Sequence, residues 1–124
     1  MDLHLVATVL DTPAPDDLAT FYERLLGWPR LMDEPDWIVL RIDPSHHALA
    51  FQRSPEFVAP VWPPEPGAPR MTVHLDFLVD DLEAGVAHAL GCGARLAAPP
   101  TAEDERVFVD PHGHLFCLIE RKRA

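Results

Sequence analysis

His74 and Asp76 stand two residues apart in a short apolar run, so an extended backbone turns both side chains to one face. Histidine titrates near neutrality and a neighbouring carboxylate favours its charged form, which makes such a pair a candidate acid and base. The same two groups can equally satisfy each other or a backbone group, as buried polar side chains must, and the sequence leaves both readings open. The two cysteines, Cys92 and Cys117, make neither a disulfide framework nor a paired zinc motif, and reduced thiols are expected. Four further histidines fall in pairs after two Asp-Pro steps: His46 and His47 follow Asp43-Pro44, and His112 and His114 follow Asp110-Pro111. Solvated turn residues are the expectation there.

The elements that must position these groups are written twice. Asp16-Asp17-Leu18 opens a segment ending Leu26-Gly27, and Asp80-Asp81-Leu82 opens another ending Leu90-Gly91 at the same spacing. Both read as helices with an acidic start and a glycine stop. Leu18, Phe21, Tyr22, Leu25 and Leu26 give the first a face to bury, and Leu82, Val86, Ala89 and Leu90 give the second one. Downstream, residues 39–53 echo residues 108–121 through the shared Asp-Pro turn, so each reads as strand, turn, strand. Residues 7–10 and 74–79 precede the helices as strands, and residues 29–32 and 94–97 follow them. Each half is therefore strand, helix, strand, strand, strand. A single domain over residues 1–124 is expected, with module one about 3–53, a proline-rich linker over 54–71 and module two about 72–121.

Twenty acidic against ten basic side chains give a formal charge of −10, which argues against nucleic acid or anionic membrane as a partner. The basic end, Arg121, Lys122 and Arg123, reads as the solvated finish of the last strand. The N-terminus has no basic region followed by a long apolar run, and a soluble, cytoplasmic protein is expected. Apolar content of 48% is enough for one sizeable core.

Several motifs together carry a family resemblance. Val9-Leu10-Asp11-Thr12, Leu18-Ala19 with Phe21-Tyr22, and Leu25-Leu26-Gly27-Trp28 resemble the first module of the glyoxalase/bleomycin-resistance/dioxygenase (vicinal oxygen chelate) superfamily, in its glyoxalase-like actinobacterial branch. Pro60-Val61-Trp62-Pro63, His74-Leu75-Asp76 and residues 107–114 resemble motifs of the second module. The resemblance covers nearly the whole chain. It implies an α+β fold of two tandem βαβββ modules whose sheets form an open, barrel-like cup around a ligand, while function does not follow from fold.

Metal-using members of the superfamily place four ligands inside that cup. Register with the motifs puts those positions at Ala7, Ala50, His74 and Cys117, with Gln52 the next side chain on the Ala50 face. Two donors are too few for a closed site, so no metal and no other cofactor is expected. The ligand-binding set is expected to be Ala7, Ala50, Gln52, Trp62, His74, Asp76 and Cys117, with His74 and Asp76 as the catalytic pair of any reaction and Trp62 as an aromatic cover. In the second module the cup-facing positions are His74, Asp76, Leu78, Leu115, Cys117 and Ile119. The functional expectation is a homodimeric, metal-free protein that binds a neutral or cationic small organic molecule, as bleomycin-resistance proteins do. The alternative is a lyase, isomerase or dioxygenase working through His74 and Asp76 or through a depleted metal site.

Overall fold

A computed structural model describes residues 1–100 and 102–121, so Lys122 and Arg123 of the basic end lie outside the described residues. The chain divides into two compact units, Met1–Phe57 and Val58–Ala124, and the division falls inside the stretch expected to be a linker.

In the first unit, β1 (Ala7–Thr12), α1 (Pro15–Leu26), β2 (Arg30–Glu34), β3 (Trp37–Leu40) and β4 (Ala48–Arg53) follow one another. The sheet order is β1-β4-β3-β2, with β1 parallel to β4 from Ala7 opposite Ala48 to Thr12 opposite Arg53. Helix α1 starts where Pro15 presets the backbone and where the Thr12 hydroxyl accepts from the Ala14 N–H at 3.0 Å. It stops at Gly27, whose φ of 73° turns the chain and whose N–H donates to the Glu23 carbonyl. Leu18, Ala19, Phe21 and Tyr22 are buried, and Tyr22 stacks on Phe51 of β4 with centroids 5.6 Å apart. Leu25 and Leu26, expected on the same buried face, are only half-buried in the last turn of the helix. Arg30 at the start of β2 reaches back to α1, donating to Glu23 and Asp16 at 2.8 Å each and to Asp33 at 3.0 Å. Those bonds, Glu23 foremost, hold its guanidinium above the usual arginine range.

The second unit repeats the plan with β5 (Leu75–Val79), α2 (Leu82–Cys92), β6 (Arg95–Leu96), β7 (Glu105–Val109) and β8 (Leu115–Glu120). Its sheet order, β5-β8-β7-β6, and its parallel pair, β5 with β8, correspond strand for strand to the first. Two tandem βαβββ modules of the α+β class are thus present. Asp81 caps α2 by accepting from the Ala84 N–H at 3.1 Å. The stop differs from the sequence expectation: Gly91 lies within the helix, and Gly93, at φ 114°, is the residue that ends it. Leu90 is also 45% exposed instead of buried, so the apolar contact of α2 rests chiefly on Leu82 and Ala89. Gly85 lets the helix lie close on the sheet, since a Cβ there would meet Leu118 Cδ1 and Val79 Cγ1 at 3.3 Å. Beneath it Phe116 stacks on Phe108 at 5.2 Å and meets Phe77 edge-on at 5.8 Å.

The Asp-Pro turns are the same device in two environments. Asp43 Oδ1 accepts from the Ser45 N–H at 2.8 Å, and Asp110 Oδ1 accepts from the His112 N–H at 2.8 Å. Asp43 is exposed and held below the usual carboxylate range by its bonds from Ser45 and His46. Asp110 is buried and also takes the His114 N–H and ring Nδ1. The turn histidines are therefore not uniformly solvated. His114 is largely buried against Asp110, and His47 bridges the Thr8 hydroxyl and the Leu5 carbonyl.

Candidate functional site

Pairing of β5, β8 and β7 assembles one face of the second sheet. Asp76 stands opposite Cys117, and Cys117 stands opposite Val107; two residues along, Leu78, Ile119 and Glu105 align in the same way. His74 immediately precedes β5 and continues the Asp76 face. Its Nε2 lies 3.2 Å from Asp76 Oδ1. The donor atoms of His74, Asp76 and Cys117 all fall within 4.8 Å of one another. His74 and Asp76 are exposed, at 41% and 51% of their side chains, while Cys117 is buried at 6% on the central strand. The cluster is thus a polar corner open to solvent, with a thiol at its floor.

Electrostatics decide what that thiol can do. Burial, then the charge of Glu105, then the charge of Asp76 and a bond to it, push the Cys117 thiol up to about 12. A nucleophilic cysteine needs the opposite setting, a cationic neighbour and a lowered value. Cys117 is therefore a proton-holding donor beside two carboxylates, and the face carries negative charge from Asp76 and Glu105. Glu105 was missed in the sequence because β7 begins three residues earlier than the echo at Phe108 suggested; strand alternation back from Val107 was the signal that could have found it.

In the first unit Ala7 and Ala50 do share a face. Ala50 is buried with Val39 and Ala48, and Ala7 and Trp37 pack against that cluster. Gln52 is exposed at the end of the same strand, opposite Asp11 and Trp37. Trp62 belongs to the second unit, where it is half-buried in a loop that Val61 closes by donating to the Pro69 carbonyl at 2.9 Å. Neither Ala7 nor Ala50 has a donor atom, so the residues present do not fit the four-ligand metal centre implied by the resemblance. The donors that do cluster are His74, Asp76 and Cys117, and Asp76 was not among the four positions.

A model of the glyoxalase-like domain matches residues 7–119. The chain belongs to that family. Its fold is similar to that of a glyoxalase/bleomycin resistance protein/dioxygenase family enzyme from Burkholderia phytofirmans PsJN, with a TM-score of 0.69 at 20% identity over 95% of this chain and 98% of that one. It is also similar to the trypanothione-dependent glyoxalase I of Leishmania major, with a TM-score of 0.72 at 18% identity over 98% and 89% of the two chains. A bleomycin-binding protein solved with bleomycin gives a TM-score of 0.62 at 23% identity over 98% and 99%. No curated protein sequence matches the chain. At these identities the glyoxalase-like chain shares a fold with each structure, and its chemistry has to be argued from its own residues. No helix among the described residues is long and apolar enough to cross a membrane.

Proposed function

We propose that this glyoxalase-like protein binds a neutral or cationic small organic molecule on the open β5-β8-β7 face, without a metal, in the manner of a bleomycin-binding protein. The observation that carries the reading is the corner itself: an exposed His74 and Asp76 at 3.2 Å above a buried, protonated Cys117, with Glu105 adding negative charge. Two carboxylates favour a cation or a hydrogen-bond donor and repel an anion. Leu78, Leu115, Ile119, Val107 and Val109 supply the apolar background that small-molecule sites need. Trp62, in the same unit, serves as an aromatic cover. If the protein turns over its ligand, His74 and Asp76 are the acid–base pair.

A second reading is favoured by the 4.8 Å cluster: a zinc-like divalent ion held by His74, Asp76 and Cys117. Binding would have to displace the thiol proton that the site holds tightly, which is why the metal-free reading is preferred. Elemental analysis of the purified protein together with native mass spectrometry tests both. The first reading expects well under one metal per chain and an organic adduct lost in His74→Ala; one zinc per chain, lost in the same variant, would replace it with the second. We further propose a homodimer, because Leu3, Leu5 and Leu31 leave apolar side chains in solvent, and a reducing compartment such as the cytoplasm, because Cys92 and Cys117 are not joined in a disulfide. Sedimentation showing only monomer at micromolar concentration would contradict the pairing.

A further inference from the structure

The two carboxylates of the β5-β8-β7 face stand at opposite corners of it. Asp76, Cys117 and Val107 form one row across the three strands, and Leu78, Ile119 and Glu105 form the next. Asp76 is thus on β5 and Glu105 on β7, with β8 between them. Two strand spacings of about 4.8 Å and two residues of about 3.3 Å each place their Cα atoms about 12 Å apart. Resting on the reading that this face binds a small organic molecule, we infer that the ligand is a linear organic dication, an aliphatic α,ω-diammonium compound that lies over Cys117 and Ile119 with one charge at Asp76 and the other at Glu105.

Glu105 carries the inference. It is half-buried at the start of β7 beside Ile119, and among the described residues its carboxylate has no hydrogen-bond or ion-pair partner. A charge held against apolar side chains without a partner is costly, and an arriving cation relieves that cost. The protein's own cations do not. Arg106 turns to the opposite face by strand alternation, and its Nη1 donates to the Ala102, Glu103 and Glu105 carbonyls. Arg95, opposite Val109 on β6, shares the face but its Cα lies about 14 Å from that of Glu105. At the other corner Asp76 is exposed, so an ammonium can reach its carboxylate from the open side. Between the corners the floor is a protonated Cys117 thiol and the Ile119 alkyl chain. Methylenes suit that floor, and it offers no counter-charge to a third ammonium in the middle. Side chains leaning inward leave roughly 7 to 10 Å between the two ammonium nitrogens, which about five to seven methylenes span at about 1.3 Å per bond.

The test is calorimetric titration of the whole chain at low ionic strength and about pH 8, above the usual histidine range. The probes are straight-chain α,ω-diamines of about three to ten carbons and alkyl monoamines of the same lengths. A diamine of about six carbons is expected to bind about tenfold tighter than the monoamine of equal length, and tighter than the diamines at either end of the series. Glu105→Gln is expected to remove most of that advantage. Glu105→Asp, which withdraws the carboxylate by one methylene, is expected to keep the advantage and move the optimum to a longer diamine, a shift that a merely structural Glu105 would not produce. Diamines that bind no better than monoamines, an advantage that survives Glu105→Gln, or an optimum that Glu105→Asp leaves in place each overturn the inference while the ligand face itself stands. Binding by neither series overturns it as well, and it overturns the reading of the face only if neutral fragments also leave the amides of that face unshifted.

Discussion

Thiol–disulfide exchange at Cys117 is expected to be slow for a reason that can be separated from access. With its thiol near 12 against an ordinary 9.0, the thiolate fraction at pH 8 falls about a thousandfold. A more basic thiolate is also the better nucleophile, and a Brønsted slope of about 0.45 over the three-unit shift returns roughly twentyfold. The net expectation is a rate about fortyfold below that of an ordinary thiol, before the further slowing from 6% exposure. The assay is exchange with the small neutral reagent 2-hydroxyethyl disulfide from pH 7 to 11, with each cysteine followed by peptide mass. The Cys117 rate is expected to keep rising through pH 10 without a plateau, and Asp76→Asn is expected to speed it at pH 8 only in part, since burial and Glu105 come first among the causes. The same linkage acts on stability. A thiol raised in the folded state contributes stability that is complete below pH 9 and is lost as pH rises towards 12. A plateau near pH 9 with no response to Asp76→Asn would refute the electrostatic account of this face.

Leu18→Ala is expected to cost about 2–5 kcal/mol by urea denaturation, because Leu18 is fully buried, whereas Leu25→Ala at a half-buried position costs clearly less. Asp110→Ala is expected to cost about 2–4 kcal/mol, since it strips two backbone N–H groups and a ring nitrogen of their buried acceptor. The same change at the exposed Asp43 should lower the thermal midpoint much less, and equal losses would show that burial does not separate the two turns. Gly113→Ala is expected to destabilise by about 1–3 kcal/mol: φ is +102°, and the new Cβ would lie 2.4 Å from that of Ala59. An unchanged melting temperature would contradict the close approach.

The duplication was legible because it is carried by local signals that do not depend on tertiary context. Asp-Pro turns, acidic helix starts and apolar spacing recur in order, and the two sheets reproduce one another strand for strand. The stop of α2 was misplaced because Gly91 and Gly93 both qualify locally, and it is Gly93 that takes the left-handed turn, its N–H donating to the Ala89 and Leu90 carbonyls. Burial was harder still. His114 and His46 sit in equivalent turns, yet one lies against a buried carboxylate and the other against an exposed one, a difference made by what covers each turn. At the site, the shared face of His74 and Asp76 followed from strand alternation, whereas the nearness of Cys117 to both depends on the Asp76–Cys117 pairing of β5 with β8 and on side-chain rotamers. Rotamers leave no trace in a sequence.

Small-molecule binding at the His74, Asp76 and Cys117 corner is the proposal on which the other site predictions depend. Nitrogen-15 correlation spectra of the labelled protein, recorded against a library of neutral, cationic and anionic fragments, test it most directly. Neutral or cationic fragments are expected to shift the amides of Asp76, Leu78, Val107 and Cys117, anionic ones are not, and His74→Ala is expected to abolish the shifts while leaving the rest of the spectrum in place. Fragments that bind with unchanged affinity to His74→Ala, or whose shifts map to other residues while this face stays silent, would contradict it.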